Sequence, residues 1–395
     1  MKWEKKKLCE CTEYITDGDH QPAPKADKGV HFIKIKDIVN NQVSFDAQVY
    51  VPQEYYDNLP MERKPQKEDV LYTVVGSFGI PSYVQTDELF CFERNIALLH
   101  PNKDIEPRFL YYSLKNPAFY KGVEIVANGS AQKLIPLSKL KDLKISVPDK
   151  EAQRHIADIL SVYDDLIENN QKQIKLLEEA AQRLYKEWFV DLRFPGHENT
   201  KIVDGVPEGW SKSTVGNICK LRKVVITPDK IESNTPYIGL EHMPRNDICL
   251  STWGKSEEIN SNKFIYLKKD VLFGKIRPYF HKVGFALNDG ITSTDTMVMV
   301  ADQNLWGLLL VTVSSDAFVD FSYQNCKEGA KMPRADWKQM EKYAIMIADQ
   351  ATQKLFEQEI LVITNKISAL AFQCRSLREA RDRMLPKLMG GEVEA

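Results

Sequence analysis

The chain has 395 residues, of which 43% are hydrophobic and 27% are charged, and this length predicts two or three globular domains rather than one. Lys and Arg (53) nearly balance Asp and Glu (55), and the formal net charge of −2 does not exclude nucleic acid, because binding depends on a local basic face rather than on the total charge. No apolar run reaches the roughly 18 residues of a membrane span, and the charged N-terminus differs from a signal peptide. We therefore expect a cytoplasmic protein with no membrane contact.

Sequence motifs of enzymes are missing from the chain. It contains no phosphate-binding loop, dinucleotide fingerprint, hydrolase nucleophile elbow or zinc-protease helix, which are the local patterns of common catalytic sites. Seven cysteines without a C-x-x-C pair and seven scattered histidines suggest neither a disulfide framework nor a metal site. We therefore expect no catalytic residue, metal or cofactor in this chain, while an enzyme with an unrecognised site stays open as an alternative.

The predicted elements alternate between mixed domains and long helices. Residues 32–35 alternate as in a short strand, and a segment free of proline and glycine over 151–189 predicts a helix. Pro and Gly then punctuate the chain around 194–210, after which a second strand at 237–240 and a second helix follow. This order predicts a mixed domain, a central helical spacer, a second mixed domain and a C-terminal helical spacer, with the bounds 1–148, 149–194, 195–348 and 349–395.

The central helix carries apolar residues at alternating steps of four and three, which is the a and d pattern of a coiled coil. Adding 200 to each position gives a second seam with the same period. Asn170 is the polar member of the first seam, where a buried Asn commonly fixes the register, and Arg381 is the exception in the second. The seam residues are Ile156, Leu160, Tyr163, Ile167, Asn170, Ile174, Leu177, Leu184, Trp188, Phe356, Ile360, Ile363, Ile367, Leu370, Leu377, Met384 and Leu388.

The same offset relates the two halves of the chain outside the seams. Glu179 and Arg183 recur 200 residues later, and the stretch 69–72 (Asp-Val-Leu-Tyr) resembles 270–273 (Asp-Val-Leu-Phe), 201 residues later. A shared period together with a shared offset indicates an internal repeat. Each half is therefore predicted to be a mixed domain followed by a long helix.

Helix length limits the geometry of such a repeat. A helix over 151–189 spans about 58 Å at 1.5 Å per residue, and a domain of about 150 residues is too narrow to return the chain to the far end of that helix. The two helices are therefore predicted to pair antiparallel. The predicted fold class is α+β, with two similar mixed α/β domains, related by a pseudo-twofold, separated by two long helices that form an antiparallel intramolecular coiled coil.

A frame of this kind suits two different functions. It can hold two DNA-reading domains a helical turn of duplex or more apart, or it can present two protein-binding heads on a coiled-coil adaptor. The predicted spacing alone does not decide between DNA and protein partners.

Several stretches carry a family resemblance in their order along the repeat. They are 129–133 (Gly-Ser-Ala-Gln-Lys), 184–191 (Leu-Tyr-Lys-Glu-Trp-Phe-Val-Asp), 206–210 (Val-Pro-Glu-Gly-Trp), 270–279 (Asp-Val-Leu-Phe-Gly-Lys-Ile-Arg-Pro-Tyr) and 383–392 (Arg-Met-Leu-Pro-Lys-Leu-Met-Gly-Gly-Glu). In this order they resemble the specificity subunits of type I restriction–modification systems, and the resemblance covers essentially the whole chain.

The resemblance implies a DNA-binding, non-catalytic function. Each mixed domain would be a target recognition domain that reads one half of a split target in double-stranded DNA, and the helices would set the unread gap. The chain would dock two adenine methyltransferase (modification) subunits, joined by two ATP-dependent restriction subunits. S-adenosylmethionine, ATP and Mg would belong to those partner subunits.

Candidate DNA contacts follow from side-chain chemistry. Phosphates are bound by Lys, Arg and backbone donors, whereas bases are read by planar or bidentate groups. In the second domain, charged and aromatic residues fall together over 275–282; the first domain has uncharged Val-Val-Gly-Ser at the corresponding positions 74–77. We therefore expect the first domain to meet the phosphate backbone through other residues. The candidate DNA-binding residues are Gln132, Lys133, Lys275, Arg277, Tyr279, Lys282, Lys331 and Arg334.

Overall fold

The computed structural model describes residues 3–39, 41–46, 49–129, 133–256, 259–302, 304–326 and 332–392. The chain forms two compact units. Unit 1 comprises Met1–Leu166 and Leu377–Ala395, and unit 2 comprises Ile167–Ser376. Each unit thus contains one mixed domain together with parts of both long helices, whereas the sequence-based division assigned the helices to separate spacers.

The mixed domain of unit 1 is built from short strands and short helices. The strands are β1 (Glu4–Lys7), β2 (Thr12–Asp17), β3 (Val30–Ile33), β4 (Ile38–Val39), β5 (Gln42–Val43), β6 (Tyr50–Val51), β7 (Val70–Thr73), β8 (Pro81–Tyr83), β9 (Phe90–Phe92), β10 (Ile96–Pro101) and β11 (Lys144–Val147). The helices are α1 (Leu8–Cys11), α2 (Gln53–Asp57), α3 (Pro107–Lys115), α4 (Pro117–Val126) and α5 (Leu137–Asp142). The central sheet has the order β2-β10-β7-β8, β3 lies between β6 and β9, and β1 pairs antiparallel with β11.

The central sheet of unit 1 is buried on both faces. Alternate residues of a strand point to opposite faces, so Val70 and Tyr72 of β7 pack in a core with α3 and α4. Leu71 between them packs on the other face in a second core with Ile33 of β3 and Phe90 of β9. The helices therefore cover one face of the sheet, and the smaller sheet around β3 covers the other.

The first long helix, α6, extends over Lys150–Tyr185 and continues as one π-helical turn over Lys186–Val190. Asp149 caps its start, because its Oδ1 accepts a hydrogen bond from the N–H of Ala152 at 2.9 Å. The helix predicted over 151–189 is confirmed.

Unit 2 contains a second mixed domain. Its helices are α7 (Val215–Ile218), α8 (Trp306–Val313), α9 (Asp316–Gln324) and α10 (Trp337–Met340). Its strands are β12 (Ile202–Val203), β13 (Val206–Pro207), β14 (Ser211–Thr214), β15 (Cys219–Leu221), β16 (Val225–Ile226), β17 (Tyr237–Ile238), β18 (Cys249–Leu250), β19 (Lys263–Tyr266), β20 (Val271–Gly274), β21 (Val283–Ala286), β22 (Gly290–Thr292), β23 (Thr296–Ala301) and β24 (Ala344–Ile347). The larger sheet has the order β15-β23-β20-β21-β18 and the smaller one β16-β19-β22-β17, while β14 pairs antiparallel with β24.

The two mixed domains share their topology. The order β2-β10-β7-β8 of unit 1 recurs as β15-β23-β20-β21 in unit 2, and the parallel pair of β3 with β9 recurs as β17 with β22. An edge-to-face aromatic pair recurs as well, with ring centroids 6.1 Å apart between Tyr72 and Phe119 and 6.0 Å apart between Phe273 and Phe318. The internal repeat inferred from the sequence offset is present in the folded chain.

The second long helix, α11, covers Gln350–Gly390 and pairs antiparallel with α6. Within unit 2, the rings of Trp188 and Phe356 lie 5.6 Å apart, whereas the Nδ2 of Asn170 lies 3.4 Å from the Oε1 of Gln373. Partner numbers on α11 thus fall as numbers on α6 rise. All the predicted seam residues are buried or half-buried, and the fold class is the one predicted.

The seam also continues into the core of unit 1. Ile156 and Leu160 of α6 share one buried cluster with Leu385, Leu388 and Met389 of α11. Burial of this apolar stripe stabilises the helix pair together with the adjoining domain. In the described ranges, no helix is long and apolar enough to cross a membrane.

Candidate nucleic-acid interface

In unit 2, the loop that follows β20 is fixed by backbone hydrogen bonds to two other segments. The N–H of Lys275 donates to the carbonyl of Asp295 at 2.8 Å, and the N–H of Arg277 donates to the carbonyl of Pro333 at 2.8 Å. Arg334 follows Pro333 directly in the chain. The fold therefore brings three of the predicted DNA-binding residues together on adjoining backbone segments.

The same loop contains a tight turn with unusual backbone angles. Arg277 (φ 51°) and His281 (φ 50°) both lie in the left-handed region and bracket a 3₁₀ turn over Pro278–Phe280. Residues other than Gly rarely adopt such angles, at a cost of about 1–3 kcal/mol each. His281 is held in place by Ser314, whose carbonyl lies 2.8 Å from its Nε2. The turn thus stays ordered despite this strain.

Guanidinium groups and aromatic rings meet on this turn. The guanidinium carbon of Arg245 lies 4.0 Å from the ring centroid of Phe280, and that of Arg277 lies 5.7 Å from it. Tyr279 is 47% exposed, and its ring contacts that of Tyr323 on α9 at 5.2 Å between centroids. Exposed planar groups beside positive charge can contact base edges and phosphates together.

The two predicted arginines differ in their exposure and in their ion pairing. The exposed Arg334 forms an ion pair with Asp295, with 2.7 Å between Nη1 and Oδ1. Arg277 is half-buried, and within the part of the chain that the structure describes no carboxylate lies within ion-pair distance of its guanidinium. Arg277 is therefore the cation of this loop best placed to receive a phosphate.

The ammonium groups of the two predicted lysines form hydrogen bonds with backbone carbonyls of the protein. The Nζ of Lys275 donates to the carbonyl of Thr294 at 2.7 Å, and the Nζ of Lys282 donates to the carbonyl of Leu240. Burial lowers the pKa of both ammonium groups below the ordinary value. Both lysines hold the loop in place, and their contact with DNA stays a prediction.

The corresponding loop of unit 1 has the same backbone frame and a different surface. The N–H of Val74 donates to the carbonyl of Asn95 at 2.9 Å, and the N–H of Gly76 donates to the carbonyl of Lys133 at 3.2 Å. Uncharged residues therefore occupy the positions of the two basic residues of unit 2, as the sequence predicted. The Nζ of the exposed Lys133 lies 5.4 Å from the ring centroid of Phe78.

Gln132 and Lys331 lie outside the described residues, so their assignment as DNA contacts stays a prediction. Sequence analysis missed Arg245 and Tyr323, which the fold brings to the turn from other segments. Arg245 stands in a Met-Pro-Arg tripeptide (243–245) that recurs at 332–334, and this repeat is a local signal for it, whereas Tyr323 has no such repeat.

Comparison with known proteins defines the class of this chain. A family model described as the type I restriction modification DNA specificity domain matches residues 1–179, which include the mixed domain of unit 1 and most of α6. The MjaIX specificity subunit of Methanocaldococcus jannaschii is 26% identical over 330 residues, which are 76% of this chain and 71% of that relative. The HindI specificity subunit of Haemophilus influenzae is 29% identical over 170 residues, which are 41% of this chain and 36% of that relative.

The solved S subunit of a type I restriction–modification system from M. genitalium has the same fold, with a TM-score of 0.59 and 17% identity over 98% of this chain and 96% of that chain. Residues 1–179 therefore carry the DNA specificity domain of type I restriction–modification systems, the chain is similar to their specificity subunits, and the resemblance inferred from its motifs is confirmed. A coiled-coil adaptor with two protein-binding heads is not favoured.

Proposed function

We propose that this chain reads a bipartite target in double-stranded DNA, one half with each mixed domain. The observation that carries this proposal is the loop frame: equivalent backbone hydrogen bonds hold it in both units, whereas the side chains on it differ at 74–77 and 275–278. Sequence is read by the side chains that enter a groove. Two equal frames with different side chains suit the reading of two different half-targets.

The long helices set the unread gap between the half-targets. Each helix contributes seam residues to the buried clusters of both units, so its length is coupled to the recognition domains by packing. A paired helix has a fixed rise per residue, and seam residues fix which heptads face each other. These properties support the proposal that the number of heptads in the paired helices sets the length of the gap between the two half-targets.

The chain contributes recognition and its partners contribute chemistry. It docks two adenine methyltransferase subunits, joined by two ATP-dependent restriction subunits, and those partners bind S-adenosylmethionine, ATP and Mg. Similarity to the specificity subunits supports this division of labour. We place the assembly in the cytoplasm, where its DNA substrate is accessible.

Selection from a random-sequence duplex library tests this proposal. The chain is mixed with its methyltransferase partner, and bound duplexes are sequenced. Enrichment of two short sequences at a fixed separation supports bipartite reading, whereas no enrichment contradicts it and favours a protein-binding adaptor. The purified chain alone, given S-adenosylmethionine and duplex DNA, is expected to transfer no methyl group and to leave the DNA intact; methyl transfer or cleavage would contradict the non-catalytic assignment.

A further inference from the structure

Unit 1 contains an open polar cleft of about 440 Å³ beside β3. Its lining comes from the loop Asp19–Lys25, from Phe32 and Lys34 at the end of β3, from 49–51, and from the turn 93–95. Val74 and Gly76, the uncharged positions that correspond to the basic loop of unit 2, are not part of this lining, although Asn95 of the lining accepts the backbone hydrogen bond of Val74.

Backbone contacts fix the two walls of this cleft. Asp19 and Glu93 form a parallel β-bridge, which joins the loop Asp19–Lys25 to the turn 93–95. Gly18 lies so close to this turn that a Cβ there would be 2.2 Å from the carbonyl oxygen of Phe92. Only Gly allows this approach, so any side chain at position 18 would displace the turn that forms one wall of the cleft.

The acidic side chains of the lining are already engaged by the protein. The carboxylate of Asp19 accepts a hydrogen bond from the hydroxyl of Tyr55 at 3.1 Å and pairs with Nη1 of Arg63 at 3.3 Å. The Oε1 of Glu93 accepts from the N–H of Ile35 at 2.8 Å. These partners offset the negative charge of the cleft.

Three cations of the same lining are unengaged. Lys25 and Arg94 are exposed and Lys34 is half-buried. Across the ranges that the structure describes, none of the three has an ion pair or a side-chain hydrogen bond. Positive groups of this kind can replace the counterions of a DNA phosphate backbone.

Planar amides lie in the same cleft. Gln21 and Asn95 line the cleft, and the aromatic residues Phe32 and Tyr50 line it as well. Asn and Gln form bidentate hydrogen bonds with the N6 and N7 atoms of adenine in the major groove. The cleft therefore combines groups for phosphate binding with groups for base reading.

The equivalent position in unit 2 is arranged differently. Asn95 accepts the backbone hydrogen bond of Val74, and Asp295 accepts the equivalent bond of Lys275. The carboxylate of Asp295 is paired with Arg334, so this position carries an acid where unit 1 has an amide. Unit 2 carries its cations on the loop after β20, whereas unit 1 carries them around the cleft.

We propose that the cleft of unit 1 is the part of its recognition domain that contacts the DNA half-target. Lys25, Lys34 and Arg94 bind backbone phosphates, and Asn95 with Gln21 reads an adenine edge in the major groove. This inference rests on the proposed reading of a bipartite target.

Charge variants of the full chain, assembled with its methyltransferase partner, test the phosphate contacts. Lys25→Gln, Lys34→Gln and Arg94→Gln are each expected to weaken binding to the selected duplex and to reduce the slope of log K against log salt by about one. Lys28→Gln and Lys36→Gln are the matched controls, because both lysines lie near the cleft residues in sequence but outside the lining, and they are expected to keep the wild-type slope. Unchanged slopes in the three cleft variants, or equal losses in the controls, would overturn the proposal.

Library selection with Asn95→Ala tests the base contact. One adenine position in one half-target is expected to relax by about tenfold or more, while the other half-target and the gap stay as in wild type. If the wild-type chain selects a bipartite target and Asn95→Ala selects the same one, the assignment of base reading to Asn95 is wrong. If the wild-type chain itself selects no bipartite target, the proposed function fails instead.

Discussion

Arg381 of α11 forms an ion pair with Asp164 of α6, at the seam position where the heptad pattern has a charged residue in place of an apolar one. The Arg381 side chain is only 12% exposed and that of Asp164 22%. Asp164 also accepts a hydrogen bond from the hydroxyl of Tyr112 at 2.9 Å, and Lys115 lies 3.6 Å from its Oδ2. The charged residue in the seam is therefore paired with a carboxylate on the partner helix, and Tyr112 and Lys115 of the adjoining domain contact the same carboxylate.

Arg381→Ala is expected to lower the free energy of unfolding by about 2–4 kcal/mol, because it leaves a partly buried carboxylate with fewer positive partners. Arg383→Ala is the matched control on the same helix, since Arg383 is exposed, and it is expected to change stability by less than about 0.5 kcal/mol. Chemical denaturation measures both. Equal losses in the two variants would show that the ion pair contributes no specific stability.

The stability of unit 2 is expected to depend on pH through Glu178. This residue of α6 is buried and accepts a hydrogen bond from the N–H of Ile248 at 2.9 Å. Burial, together with the neighbouring Asp247, raises the pKa of its carboxyl to about 8. The ordinary value of about 4.3 applies in the unfolded chain, so between these two pH values the folded state binds more protons. Its contribution to stability is therefore complete below about pH 4 and is lost as pH rises through 8.

Glu178→Gln removes this proton uptake. The free energy of unfolding is expected to fall less steeply between pH 5 and 8, by up to about 1.4 kcal/mol per pH unit, and denaturation at several pH values measures the slope. Glu357 keeps a slope of the same sign in the variant, because burial raises its pKa as well. The exposed neighbour Glu179→Gln is expected to keep the wild-type slope, and a Glu178→Gln profile identical to wild type would contradict the buried, protonated carboxyl.

Arg277→Gly is expected to separate stability from DNA binding. Arg277 has a positive φ of 51°, which Gly adopts without strain, and Gly76 occupies the corresponding position in unit 1. The free energy of unfolding is therefore expected to stay the same or to rise by about 1 kcal/mol. Binding of the assembled complex to its DNA is expected to weaken, with a salt slope smaller by about one.

Lys268→Gln removes one positive charge at the opposite end of β20 and serves as the control for Arg277→Gly. It is expected to leave both the salt slope and the stability unchanged. A loss of stability in Arg277→Gly without a change in salt slope would mean that Arg277 supports the turn and does not contact DNA.

Local periodicity made the helices and their pairing predictable. The seam of α6 and α11 is a periodic pattern within each helix, so it can be recognised from the local sequence. The length of the first helix excludes a parallel pairing, because the second domain is too narrow to return the chain to the start of that helix. The basic loop of unit 2 was equally predictable from the sequence, because Lys275, Arg277 and Tyr279 are close together in the chain. The sequence-based division treated the two helices as separate spacers because it used local patterns alone. Local patterns do not show that each long helix packs into both units.

Features that depend on distant segments were not predictable from the sequence. The partner of Arg381 lies on α6, more than two hundred residues earlier, and no pattern in either helix links the two. Arg245 reaches the ring of Phe280 from a loop 35 residues earlier in the chain. The cations that line the cleft of unit 1, Lys25, Lys34 and Arg94, come from three separate segments. None of these segments alone has a basic pattern that predicts a DNA contact.

Insertion of one heptad into each long helix, with the seam kept in phase, tests whether the helices set the gap while the mixed domains read the sequence. Seven residues add about 10 Å to a helix, or about three base pairs at 3.4 Å per step. Library selection with the methyltransferase partner is expected to return the two wild-type half-targets with a gap longer by about three base pairs. Altered half-targets with an unchanged gap would contradict this assignment, because the helices would then be reading sequence and the mixed domains setting distance.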